Sequence, residues 1–181
     1  METTRTHLLK DGRTLTIREA APADAAMLVA YMQQVACESP FLGFGPGEFT
    51  TTPEQEVGII EDHFQTDNKI FLIGLIDGEI ASVTNFVGGQ RQRSRHVGEF
   101  GITVRESFWG LGIATHMLTL LIDWAKATGI VRKINLLTRE DNHAAIHLYK
   151  KLGFVQEGVH RKASYLEGTF YDAIFMGIDI D

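Results

Sequence analysis

The sequence predicts an α/β (α+β) fold built on one mixed, mostly antiparallel sheet of about six to seven strands flanked by about four helices. Three observations predict it. Strand-like and helix-like segments are interleaved along the whole chain. Asp77-Gly78 and Glu167-Gly168 each sit between two strand-like runs, where such pairs suit the tight turns of antiparallel hairpins. Strand 96–104 runs through two glycines into a long amphipathic helix and on to strand 131–138, the sequence form of a parallel crossover.

Each element has its own warrant. "LTIREA" (15–20) alternates as a strand does. "PADAAMLVAYMQQVA" (22–36) reads as a helix, with Pro22 in its first turn and Asp24 against the positive end of its dipole. "CESPFLGFGPGEFTTT" (37–52) is a loop, unusually apolar, with three phenylalanines among three glycines and two prolines. "PEQEVGIIEDHFQT" (53–66) reads as a second helix, opened by Thr52 and Pro53. "IFLIGLI" (70–76), "EIASVTNFVG" (79–88) and "HVGEFGITV" (96–104) are strands. Helix 112–128 places Ile113, Met117, Leu120, Leu121 and Trp124 on one face, and Gly129 is its stop. "VRKINLLT" (131–138) is a strand, and "NHAAIHLYKKL" (142–152) a short helix ended by Gly153. Residues 154–180 close the chain as two strands.

At 181 residues, with 44% hydrophobic and 22% charged residues, the chain suits one domain over 1–181. A net charge of −6 argues against nucleic acid as a partner. The one basic cluster, "RQRSRH" (91–96), reads as a solvated hairpin loop. No apolar run approaches the ~20 residues of a membrane span, and the polar N-terminus has no export signal. The single Cys37 cannot form an internal disulfide and reads as a small buried residue. These features lead us to expect a cytoplasmic protein with neither membrane nor nucleic-acid partners.

The chemistry concentrates in "ESFWGLGIA" (106–114). A helix N-terminus leaves amide N–H groups unpaired and carries partial positive charge. Gly110 and Gly112 would let a phosphate approach that end closely. The segment is neither a P-loop nor G-x-G-x-x-G, since Thr115 stands where the third glycine belongs. Taken alone, a tight turn without a ligand explains it nearly as well.

One strand further on, "NHAAIHLYKKLGF" (142–154) resembles the N-x-x-A-x-x-L-Y-x-x-x-G-F signature of the GNAT superfamily of acetyl-CoA-dependent N-acetyltransferases. Asn142, Ala145, Leu148, Tyr149, Gly153 and Phe154 all match. The glycine loop is similar to the same superfamily's R/Q-x-x-G-x-G/A, with Gly112 and Ala114 in its last two positions. Trp109 departs from that pattern by replacing the Arg or Gln. Together with Glu99-Phe100-Gly101 it resembles the branch of ribosomal-protein N-terminal and spermidine acetyltransferases. Element order agrees from about residue 15 onward, which implies a GNAT-like fold.

The resemblance implies a site. The pyrophosphate of acetyl-CoA would rest on the backbone of Gly110, Leu111, Gly112, Ile113, Ala114 and Thr115, beside Trp109. The pantetheine would bond the backbone of Ile102, Thr103 and Val104 and meet Asn142, which can also cap its helix. Tyr149 would be the general acid for the leaving thiolate, a phenol of pKa ~10 being close to a thiol of ~8.5. Glu99 is the candidate base, on one strand face with Gly101 and Thr103, with an ordered water as the alternative. The acceptor would be a primary amine: a small amine, a polyamine or a protein N-terminus. The loop 37–52 would cover it, with Phe41, Phe44 and Phe49 either lining the pocket or pinning the loop. Glu38, Glu48, Glu54 and Glu56 would make that end acidic and attract a cation.

Other groupings carry less. His143 and His147 have metal-pair spacing, but the helical wheel sets them on the polar face beside Lys150 and Lys151, and no metal is expected. Ser107 has no His or acid at motif spacing, so a serine nucleophile is rejected. Leu137 or a neighbour stands where some N-terminal acetyltransferases place a catalytic Glu. A non-catalytic CoA-binding sensor is the alternative function, against which Tyr149 counts. A homodimer is the default expectation for such a fold.

Overall fold

Hairpin turns and one crossover generate the sheet. The computed structural model describes residues 4–181. Along them run β1 (Arg5–Leu8), β2 (Thr14–Glu19), α1 (Ala25–Glu38), α2 (Pro53–Gln65), β3 (Lys69–Ile76) and β4 (Glu79–Gly88). Then follow β5 (Val97–Val104), α3 (Ile113–Thr128), β6 (Lys133–Arg139), α4 (His143–Lys151), β7 (Val155–Leu166) and β8 (Thr169–Asp179). All eight strands join one sheet in the order β1-β2-β3-β4-β5-β6-β8-β7. Only β5 and β6 are parallel, and α3 makes their crossover.

The expected turns form. Asp77 and Gly78 adopt φ of 51° and 84°, and Glu167 and Gly168 adopt 48° and 84°, the left-handed pairs that match strand twist. Residues 91–96 lie in the exposed connection before β5. The strand missing from the sequence reading is β1. It is short, it pairs only with β2 at the sheet edge, and its exposed residues give no apolar alternation.

Helices cover both faces. On one, α3 and α4 bury Met117, Leu121, Tyr149 and Phe154 against Phe86, Phe100 and Leu136. On the other, α1 and α2 bury Leu28, Tyr31, Val35 and Ile60 against Phe71, Ile73 and Val83. Thr52 caps α2: its hydroxyl accepts from the Gln55 N–H at 3.3 Å, and the Gln55 side chain accepts from the Thr52 N–H at 2.9 Å.

Two readings need correction. Pro22–Asp24 forms a separate 3₁₀ turn, and the α-helix starts only at Ala25. Buried Asp24 is held by Arg18 at 2.7 and 2.9 Å and accepts from the Ala21 N–H at 2.8 Å, which fixes that turn. Cys37 is exposed, not buried, because it lies one position past Ala36, the last buried residue of α1. Among the described residues, no helix is long and apolar enough to cross a membrane.

The feature that positions the site is a split in the sheet. β5 and β6 pair only through Val97–Lys133, Gly98–Ile134 and Glu99–Asn135. Beyond this β6 stays paired with β8 and β5 with β4, so the two halves of the sheet part between residues 100–104 and 136–139. The glycine junction and α4 both sit at the open end of that split.

Candidate active site

A cleft of about 710 Å³ fills the split, a size suited to a small-molecule site. One wall is the junction of β5 with α3. Gly110 and Gly112 have φ of 79° and 84°, and Gly112 is the N-cap of α3. A Cβ on either would meet nothing within 4 Å. The first backbone bonds of the helix run from the Thr115 and His116 N–H groups to the Gly112 carbonyl. The N–H groups of residues 110–114 therefore donate to no backbone carbonyl among the described residues. A helix start with bare amides and open space over its glycines fits a diphosphate. Gly110, Gly112, Ile113, Ala114 and Thr115 line the cleft, whereas the Leu111 side chain packs into the core.

Trp109 is half exposed at the mouth, and its indole N–H donates to the Val104 carbonyl at 2.8 Å. It ties the glycine turn to the end of β5 and satisfies a carbonyl at the strand's end.

Alternation sorts the backbone of β5. The Gly89 N–H donates to Val97 and the Arg105 N–H to Ala81, so odd-numbered β5 residues spend their backbone groups on β4. Ile102 and Val104 turn theirs toward the split, the position expected of a pantetheine contact. Thr103 departs from that expectation. Its backbone belongs to β4, and its hydroxyl bonds the Tyr31 hydroxyl at 2.9 Å on the α1 side. Thr103 is thus part of the other wall.

Across the cleft, the Asn142 side chain caps α4 by accepting from the Ala145 N–H at 3.4 Å, and the residue also lines the cavity. Tyr149 is 7% exposed and packs edge-on to Phe100 and Phe154, with ring centroids 5.8 and 5.9 Å away. Its hydroxyl is open to the cleft and has no hydrogen-bond partner among the described residues. Burial pushes its pKa up to about 12, away from the near match with a thiol. His143 and His147 are exposed on the far face of α4.

The other end of the cleft lies on the α1 side. Met32, Val35, Phe41, Leu42 and Phe44 form its wall, and Phe49 stacks behind Phe44 at 5.4 Å rather than lining it. The expected acidic lining is absent among the described residues. Glu38 is engaged by Arg105 at 3.2 Å and by the Glu106 N–H at 2.8 Å, and Glu48 accepts from the Gly45 N–H at 2.6 Å. Glu54 is exposed, and Glu56 is buried away from the cleft, its pKa raised by desolvation. Glu99 is exposed and does not line the cavity. It lies on the same strand face as Gly101, one same-face position outside the lining.

Two residues escaped the sequence reading. Asn85 faces Gly101 across β4 and β5, and its side-chain oxygen lies 3.2 Å from where a Gly101 Cβ would sit. It has no hydrogen-bond partner among the described residues and lines the cavity. Arg139 clamps the covering loop. It binds Asp141 at 3.0 and 2.6 Å, donates to the Pro40 carbonyl at 2.8 Å, and lies over the rings of Phe41 and Tyr171 at 5.0 and 3.8 Å. Neither had a local motif to announce it.

A profile of the acetyltransferase (GNAT) family matches residues 31–154, which hold both the glycine turn and Tyr149. The chain belongs to the GNAT family. Over 105 residues this GNAT protein is 33% identical to an L-amino acid N-acetyltransferase of Escherichia coli K12, covering 58% of this chain and 65% of that one. Over 120 residues it is 28% identical to a spermidine N(1)-acetyltransferase of the same organism, covering 66% and 63%. The matched stretch thus spans just under two thirds of either relative. A GNAT-family acetyltransferase structure from Streptococcus pneumoniae superimposes with a TM-score of 0.90 at 37% identity, over 92% of this chain and 99% of that one. The chain has the GNAT fold.

Proposed function

We propose that this protein moves the acetyl group of acetyl-CoA to a primary amine by direct attack. The observation that carries the reading is the split sheet, with bare amides at one end and the unpartnered Tyr149 hydroxyl inside. When bound, acetyl-CoA supplies an activated thioester: the nitrogen–carbon bond forms as the carbon–sulfur bond breaks, and the electron pair leaves on sulfur. The amides of residues 110–114 hold the diphosphate. The backbone of Ile102 and Val104 aligns the pantetheine, and the Ile102 N–H polarises the thioester carbonyl. Tyr149 keeps its proton at working pH and presents it to the departing sulfur, then regains one from solvent.

Asn85 orients the acceptor nitrogen over Gly101. The nitrogen's surplus proton leaves through water along the open sheet face, past Glu99, which receives it. Titration calorimetry with acetyl-CoA, paired with a free-thiol assay over an amine panel, tests the reading. We expect saturable binding and amine-dependent thiol release. Glu99→Gln should lower kcat/KM by at least about tenfold with acetyl-CoA binding retained. Absence of binding at millimolar acetyl-CoA would overturn the proposal.

A further inference from the structure

The acceptor wall has a property that the family resemblance does not supply: among the described residues, no side chain lining the cleft is charged. Its α1-side wall is Met32, Val35, Phe41, Leu42 and Phe44, and its polar groups there are neutral, Ser39, Asn85 and Thr103. Of the nearby charges, Glu38 is paired with Arg105 and Arg139 with Asp141, and Glu99 lies outside the lining on the exposed sheet face.

We propose that the acceptor is a small monoamine on a neutral, apolar body, with no second charged group within reach of the cleft. This rests on the N-acetyltransferase reading above. An ammonium or carboxylate buried without a partner costs several kcal/mol. The reacting amine escapes that cost, because an apolar wall favours its neutral form, which is also its nucleophilic form. A polyamine would bring further ammonium groups a few methylenes away, with no carboxylate in the lining to meet them. A free amino acid would bring a carboxylate beside the amine, with no cation lining the cleft. An aryl or branched alkyl body instead packs on Phe41 and Phe44 while Asn85 accepts an N–H.

The test is thiol release with matched acceptors: 2-phenylethylamine, phenylalanine (the same body with a carboxylate), spermidine, and a peptide beginning with phenylalanine. We expect kcat/KM for 2-phenylethylamine to exceed each of the others by at least about tenfold. Parity with or preference for spermidine, phenylalanine or the peptide overturns the inference while leaving the N-acetyltransferase reading intact. So does failure to acetylate 2-phenylethylamine when calorimetry shows acetyl-CoA bound. Failure of acetyl-CoA to bind strikes the underlying reading instead. Ser39→Asp adds the missing carboxylate to the wall and should shift the ratio toward spermidine by about tenfold. An unchanged ratio, with acetyl-CoA still bound, would show that the wall does not select.

Discussion

Tyr149 combines two properties that suit a proton donor: its ring is buried, and its hydroxyl, open to the cleft, has no hydrogen-bond partner among the described residues. A ligand that fills the cleft and excludes water from it leaves that hydroxyl free to donate to the ligand where the chemistry occurs. Burial penalises the phenolate, so the folded pKa rises to about 12 and the hydroxyl stays protonated through the working range. The kcat–pH profile should therefore lack an alkaline limb near the ordinary phenol value of ~10. A limb there that disappears in Tyr149→Phe would contradict the assignment. Tyr149→Phe should lower kcat by about 10²–10³-fold with acetyl-CoA affinity retained, as expected for loss of one donor to developing charge. Tyr149 could be named from the 142–154 motif because that motif is local. Asn85 could not, because its place depends on register with Gly101, a contact between residues far apart in the chain.

The glycine turn and the covering loop are the two elements whose local design decides binding. Gly112 needs φ of 84°, and a side chain there would project into the space a phosphate must enter. Gly112→Val should abolish acetyl-CoA binding by calorimetry, while Trp109→Gln, which removes the tie to Val104 and one ring at the cleft mouth but no glycine-turn amide, should weaken it less than about tenfold. The reverse order would mean the phosphates sit elsewhere. Arg139 belongs to the covering loop by function though it lies on β6. Its removal frees the Pro40 carbonyl and the Phe41 ring together. Arg139→Ala should raise KM for the amine by about tenfold or more while leaving acetyl-CoA affinity nearly unchanged, and Arg139→Lys should recover only part, since a lysine cannot keep the forked pairing. Equal loss of cofactor binding and amine KM would reduce Arg139 to a stability residue. Most elements were legible because periodicity and turn chemistry are local; β1 was not, since an exposed edge strand needs no apolar alternation. The charge of the acceptor end was misread for a related reason. Glu38 and Glu48 look free in the sequence, but the fold engages Glu38 with Arg105 and Glu48 with a loop amide.

At the scale of the molecule, two helix layers grip a sheet that is continuous at one end and parted at the other. The N-terminal half, with α1 and α2, carries the acceptor wall, and the C-terminal half carries α4 and Tyr149. Acetyl-CoA bound in the split would bridge groups that only the folded sheet brings together, from residues 110–114 to Asn142. The unfolded chain has no such site, so binding must add to folding stability by mass action. At a hundredfold excess over Kd this amounts to about 2.7 kcal/mol. For a chain of 181 residues, each kcal/mol raises Tm by about 2–4 °C. Acetyl-CoA should therefore raise Tm by about 5–11 °C in one cooperative transition, the two halves melting together because β5 and β6 pair at residues 97–99 and 133–135 and one hydrophobic core joins Phe86 and Phe100 on one side of the split to Leu136 and Met176 on the other. Gly112→Val should melt without any such shift at the same cofactor concentration. Two separate transitions, only one of them moved by acetyl-CoA, would show that the halves fold independently and that the split does not join them.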